Sequence, residues 1–247
     1  TYSAFTPGLS DRPFDPMEAK VFPAEWLAVA PGKRLASVLI RVERLPDSEE
    51  EVLARLEEWF VAESLAVSWV VDGAAVIAGD FRIDAAGHMR FVVFVREGVG
   101  ARRIGRIVQR LCEIETYRAM SMLGLMRSRQ LTAQLNSLDP RLAALVGALD
   151  DTEPSPDAAL HNLLAISAEL ESLAVKFSFR FGATAAYEAI LSQRVQVLRE
   201  ERVAGRQTFG EFMMRRYDPA MRTVKSAEKR LKEMAERAER AAELLRT

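Results

Sequence analysis

The spacing of apolar and polar positions changes along the chain, and the change predicts its elements. Residues 1–33 hold no sustained period. Turn-rich text such as Thr6-Pro7-Gly8 and Arg12-Pro13-Phe14-Asp15-Pro16 predicts an irregular lead-in pinned by Phe22, Trp26 and Leu27. Over Leu35–Val42, β-branched residues fall at every second position (Val38, Ile40, Val42), the alternation of a strand. Ser48 followed by Glu51 is a capping box, and Leu53, Leu56, Trp59 and Phe60 behind it mark one face of a short helix. Leu65–Val71, Ala74–Ile83 and Met89–Val95 read as three more β-runs, joined by turns at Asp72-Gly73 and Asp84–Gly87. Asp-Gly is the strongest hairpin signal in the chain. The order β-α-β-β-β closes an α+β unit near residue 98, with a small mixed or antiparallel sheet and one or two helices.

After Gly98 and Gly100 the period is helical throughout. A helix from Ala101 is predicted to reach Ser137, with Asp139-Pro140 capping a shorter one that ends near Leu149. Asp150–Pro156 reads as the internal linker. From Asp157 to Ala204 no proline intervenes and Gly205 supplies a stop. A helix of that length runs roughly 70 Å at about 1.5 Å per residue. Lys176–Phe181 alternates like a strand, but its flanks lack turn signals, so it is assigned to the helix. Thr208 with Glu211 repeats the capping box, and Asp218-Pro219 pairs an N-cap with proline at the first helical position.

From there Val224, Ala227, Leu231, Met234, Ala238, Ala241 and Leu245 alternate spacings of three and four, the heptad seam of a coiled coil. Ala227, Ala238 and Ala241 permit close helix approach and leave open whether the seam closes within the chain or between chains. The seam is still running at Thr247 and Thr1 is no initiator, so the chain is expected to be a fragment. The predicted organisation is an α+β domain over 1–100 with its lead-in, then a helical domain over 101–247 with long antiparallel helices and a linker near 150–156.

Candidate chemistry sits mainly on the helix from Ala101. Ile104, Ile107, Val108, Leu111, Ile114, Met122 and Leu125 share one stripe, and Glu115 and Arg118 fall inside it three residues apart. A charge pair on a buried face is costly to desolvate. It is either a specificity device, at a subunit interface or ligand pocket, or the sign of a half-covered helix end. The opposite face carries Arg103, Arg106, Gln109, Arg110, Glu113 and Tyr117. That row either seats a phosphate or anionic headgroup or is a solvated face laced with ion pairs.

Asp72 and Asp84 are explained as turn residues, whereas Asp80 interrupts a strand pattern and with Arg82 makes a possible polar site on the sheet. No carboxylate spacing matches a metal loop, and neither Gly-x-Ser-x-Gly nor His-Glu-x-x-His occurs. Gly98, Gly100 and Gly105 lack the Gly-Lys-Ser/Thr of a phosphate loop. His88 and His161 read as surface histidines, and Cys112 as packing at the edge of the stripe. No catalytic residue, metal or cofactor is assigned.

Composition narrows the classes further. With 34 Lys plus Arg against 35 Asp plus Glu, the net charge of −1 gives no general grip on nucleic acid. A single cysteine excludes an internal disulfide. No run approaches the ~18–20 apolar residues of a membrane span, and the N-terminus carries no charged-then-apolar signal.

Two stretches stand out as signatures. One runs Gly105-Arg106-Ile107-Val108-Gln109-Arg110-Leu111-Cys112-Glu113-Ile114-Glu115-Thr116-Tyr117-Arg118. The other comprises Leu198-Arg199-Glu200-Glu201-Arg202, Gly205, Thr208, Glu211-Phe212, Arg215-Arg216 and Pro219-Ala220. With Trp26-Leu27, Pro31-Gly32 and Asp80-Phe81-Arg82-Ile83-Asp84, the chain resembles the bacterial "uncharacterised membrane-anchored protein" family, domain of unknown function 3422. The resemblance implies the soluble part of an inner-membrane protein facing the cytoplasm, continued in the family by more coiled helix and hydrophobic segments. It implies no activity.

The expected role is a non-catalytic domain whose helices form an oligomerisation or stalk module above a membrane anchor, as a homo-oligomer without nucleic acid. By analogy of layout alone, the cytoplasmic domain of a CorA-like divalent-cation transporter or channel is an alternative. A ligand-binding or enzymatic domain using Asp80, Arg82 and the Arg106–Tyr117 face is another.

Overall fold

A sheet buried on both faces reads as near-continuous apolar text, and the central strands here do. In the computed structural model, which describes residues 2–6, 8–14, 22–148 and 156–245, the chain divides into two compact units. The first is Thr1–Ala119 with Ile190–Arg216, the second Met120–Ala189 with Tyr217–Thr247.

The first unit is α+β. After a six-residue helix α1 (Ala24–Val29) come β1 (Val38–Arg44), α2 (Glu49–Trp59), β2 (Ala66–Val70), β3 (Ala75–Gly79) and β4 (Met89–Val95). With β5 (Glu201–Arg202) the sheet order is β1-β4-β3-β2-β5, with β1 parallel to β4 and the other pairs antiparallel. Ser48 caps α2, its hydroxyl accepting the Glu51 amide at 3.2 Å. Val52 and Leu56 of α2 pack with Val67, Val76, Ala78, Val92 and Phe94 on one face of the sheet. Phe14 completes this core, with ring centroids 5.3 Å from Phe60 and 6.2 Å from Trp59. In the lead-in, Trp26 meets Tyr2 and Phe22 at 4.5 and 5.2 Å, whereas Leu27 is exposed.

The Asp72-Gly73 signal does mark the β2–β3 turn, but the turn is longer than a two-residue hairpin. Val71, Asp72 and Gly73 all take positive φ (54°, 57° and 69°), a region that β-branched residues such as Val71 rarely enter. The Val71 amide leaves the hairpin ladder to donate to Leu198 O at 2.8 Å.

Three boundaries expected from the sequence are corrected. Asp139-Pro140 does not break α3, which runs Ala101–Gly147 with Pro140 inside it. Proline in a helix interior costs about 3 kcal/mol. Leu138 and Leu142 on either side are fully buried, and continuing the helix keeps both in the core. Pro219 likewise lies inside α5 (Phe209–Leu244) rather than at its start. The helix begins instead at the Thr208–Glu211 box, where Thr208 Oγ1 accepts the Glu211 amide and Glu211 Oε2 accepts the Thr208 amide, both at 3.2 Å.

Helix α4 spans Pro156–Gln196 and stops short of Ala204. Arg199 (φ 49°) and Ala204 (φ 45°) are in the left-handed region, and between them Glu201–Arg202 forms β5 on the edge of β2. The chain after Gly98 is therefore not wholly helical. Lys176–Phe181 is helical as expected, with Phe177 and Phe181 buried one turn apart. The expected linker at 150–156, the helix end near Leu149 and the chain end at Thr247 lie outside the described residues, apart from Pro156 as the start of α4.

The second unit is a bundle of three helical segments from α3, α4 and α5. Its polar ties fix the directions: Arg141 pairs with Glu169 and Lys225 with Glu188, so α4 runs antiparallel to both neighbours. Arg230 bonds Asn136 at 2.6 Å and Asp139 at 3.0 Å. A Cβ on Gly124 would lie 2.2 Å from Thr184 Oγ1, marking a close helix approach. Val224, Ala227, Leu231, Met234, Ala238 and Ala241 are all buried within the single chain. Among the described residues, no helix is long and apolar enough to cross a membrane.

Candidate functional site

Three sets of polar side chains in the first unit could carry chemistry. Asp80 follows the last residue of β3 and is fully buried. Its Oδ2 accepts the Val61 amide and the Arg90 guanidinium, each at 3.2 Å, and its Oδ1 accepts the Arg82 amide at 3.1 Å. The Arg82 side chain turns elsewhere, donating to Ser64 Oγ at 2.9 Å. Arg90 lies over the rings of Phe14 and Phe60, 5.8 and 5.5 Å from their centroids. A carboxylate with three donors in a closed environment is a structural tie between β3, β4 and the loop at Val61. Asp84 is a turn residue as expected, its Oδ1 accepting the amides of Ala86 and His88. His88 Nδ1 is 2.6 Å from Ser37 Oγ, and His161 is exposed.

The second group is the first half of α3. Glu115, almost wholly buried, and Arg118 join through two bonds of 2.6 and 2.7 Å, a bidentate pair. On the other face Gln109 donates to Glu113 at 2.8 Å, and Glu113 pairs with Arg194 at 2.5 Å. Arg110 donates to Val197 O at 3.1 Å, at the end of α4. Arg103 donates to Val71 O at 2.8 Å and lies 3.9 Å from Asp72, which also holds Arg199 at 2.8 Å. Tyr117 is half-buried and Arg106 is exposed. Arg110 and Glu113 of the first signature stretch thus grip Val197 and Arg194, just ahead of Leu198 where the second stretch begins. Burial, followed by the neighbouring Arg106, Arg199 and Arg194, pushes the Arg110 guanidinium below its ordinary range, with Glu113 opposing. Cys112 is half-buried, its thiol pushed up by burial and then by Glu113, as suits packing.

The third group was missed in the sequence. Glu200 lies between Arg199 and β5, half-buried. It accepts the Ser68 hydroxyl at 2.8 Å and the Gly210 amide at 3.2 and 2.9 Å through its two oxygens. Ser68 Oγ in turn accepts the Phe209 amide at 2.8 Å. A carboxylate and a hydroxyl together satisfy the first amides of α5, where a negative charge also suits the helix dipole. Burial nevertheless dominates and raises the Glu200 pKa, the bonds from Ser68, Gly210 and Phe209 opposing it and Glu211 adding to it. Phe81, at φ 53°, packs tilted against Phe209 at 4.6 Å and stacks on Phe212 at 5.1 Å, and so brings the Asp80–Asp84 motif to the same place. The usable signals were the Thr208–Glu211 box and Gly210. Reading 157–204 as one helix kept Glu200 inside that helix, with no reason to meet Ser68 or Gly210.

Among the described residues, no group of three or more His, Cys, Asp or Glu side chains could hold a metal ion. No curated protein and no solved structure matches the chain. The family description that does match, over residues 1–247, is a protein of unknown function, and the chain belongs to that family, domain of unknown function 3422.

Proposed function

We propose that this chain is a non-catalytic part of a membrane-anchored bacterial protein, with its helical unit serving as a stalk closed within one chain. The observation that carries the stalk is the burial of the heptad positions Val224, Ala227, Leu231, Met234, Ala238 and Ala241 inside a single chain. Burying that seam requires no second copy, so the heptad by itself does not argue for a homo-oligomer. The non-catalytic reading is supported by how the candidate chemical groups are spent: Asp80, Glu113, Glu115 and Glu200 each hold backbone amides or arginines that fix neighbouring segments. The bacterial and membrane-anchored parts rest on the resemblance of the two signature stretches.

The test is fractionation of cells expressing the natural gene, combined with sedimentation of this chain. The protein is expected in the membrane fraction and the isolated chain at the mass of one copy. Recovery of the full-length protein in the soluble fraction would overturn the anchoring. A concentration-dependent dimer that dissociates on disrupting the seam would overturn the closed stalk.

A further inference from the structure

A cluster of arginines with few acidic partners lies where α3 begins, beside the β2–β3 turn and the end of α4. Arg103, Arg106 and Arg110 sit at i, i+3 and i+7, on one face of α3. Arg194 comes from the last turn of α4 and Arg199 from the left-handed turn after it. Five guanidiniums share two carboxylates: Asp72 holds Arg199 and lies near Arg103, and Glu113 holds Arg194. Arg110 is spent on a neutral acceptor, Val197 O. Arg106 is exposed and has no acidic partner among the described residues.

Such crowding is maintained against repulsion, which burial strengthens around Arg110. The cluster is also held in place from behind. Val71 is kept at a strained positive φ, its amide tied to Leu198 O and its carbonyl to Arg103. Arg103 and Arg110 are therefore positioned by backbone carbonyls, and only Arg194 and Arg199 of the five are held by carboxylates, which leaves part of the charge unneutralised. Arg103 and Arg199 keep 41 % and 57 % of their side-chain exposure, so an incoming group can reach them.

We propose that Arg106, Arg110 and Arg199 form a binding site for a phosphate-bearing anion. A phosphate offers several acceptor oxygens and more than one negative charge, matching planar forks that approach from two elements. A single carboxylate would leave most of the excess charge in place. The site is independent of whether the protein is membrane-anchored. The phosphate is carried either by a soluble compound or by a lipid headgroup.

The experiment titrates the chain with inorganic phosphate by calorimetry at low ionic strength. It is paired with co-sedimentation on phosphatidylcholine vesicles with and without phosphatidylglycerol. Arg106→Gln is the test variant, because Arg106 ties nothing together and its loss leaves the thermal midpoint unchanged. Arg129→Gln, an exposed arginine further along α3, removes the same charge elsewhere. Binding is expected to weaken about tenfold in Arg106→Gln and to hold in Arg129→Gln. Phosphate binding without vesicle binding identifies a soluble ligand; binding only to phosphatidylglycerol vesicles identifies a headgroup. The proposal is overturned if neither probe binds, if Arg106→Gln binds as well as the parent, or if Arg129→Gln weakens binding equally.

Discussion

Glu200 reaches across to the first turn of α5 and takes the Gly210 amide on both carboxylate oxygens, at 3.2 and 2.9 Å. The closeness has a steric condition: a Cβ at position 210 would fall 2.5 Å from Glu200 Oε2 and 2.7 Å from Val195 Cγ1. Space, and not a left-handed backbone, is what this glycine supplies. Gly210→Ala is expected to cost roughly 1–3 kcal/mol by overpacking. Urea unfolding measures it, and a loss under half a kilocalorie, a size ordinary for exposed positions, would show that the carboxylate relaxes freely.

The same carboxylate makes stability depend on pH. Its pKa in the fold is raised, chiefly by burial, above the unfolded value of about 4.3. The folded state therefore binds the proton more tightly. Glu200's favourable contribution is full below the ordinary carboxylate value and lost as pH rises through the raised one. The groups around it are Ser68 on β2, the amides of Phe209 and Gly210, and Glu211, itself paired with Arg202. Glu200→Gln fixes the neutral form. Its thermal midpoint relative to the parent is expected to climb as pH rises from the ordinary carboxylate value, and a difference flat with pH would contradict the assignment.

Asp80 is expected to behave as a structural tie. Asp80→Ala leaves Arg90 without its carboxylate and strands the amides of Val61 and Arg82, so a loss of roughly 3–5 kcal/mol is expected. Asp80→Asn keeps an acceptor and is expected to lose less. Denaturant titration of both variants checks the order; an Asp80→Ala variant as stable as the parent would leave the residue available for another role.

Gly124 and Thr184 set how closely α3 and α4 approach in the helical unit. Gly124→Ala would bring a methyl to 2.2 Å from Oγ1 and 2.7 Å from Cγ2 of Thr184. A loss of about 1–3 kcal/mol is expected, with partial recovery in Gly124→Ala combined with Thr184→Ala, since both clashing atoms then go. Strictly additive losses would show that the strain lies elsewhere.

The β-α-β-β-β order was legible because local signals agreed with one another: alternation over Val38–Val42, the Ser48 cap, and Asp72-Gly73 between two apolar runs. The failures share a cause. Pro140 and Pro219 punctuate strongly in sequence, yet Leu138 and Leu142 beside the first, and Tyr217 and Met221 beside the second, are buried only if each helix continues. β5 is two residues long and exists through its pairing with β2, which no local window contains. The candidate sites divided in the same way. Glu115–Arg118 is a pair three residues apart and follows from helical spacing. Glu200–Ser68 joins positions 132 residues apart, and the Arg103–Arg199 cluster closes only when two distant segments meet.

The closed stalk is tested most directly by the distance between the positions of Lys225 and Glu188, whose side chains pair at 2.8 Å within the helical unit. Lys225→Cys and Glu188→Cys, in a Cys112→Ser background, accept spin labels for pulsed electron paramagnetic resonance. A short separation that persists when labelled chains are diluted with unlabelled ones is the expected result. A long separation, or a short one that vanishes on dilution, would mean that α4 and α5 do not pair within a single chain, and the closed stalk would fall.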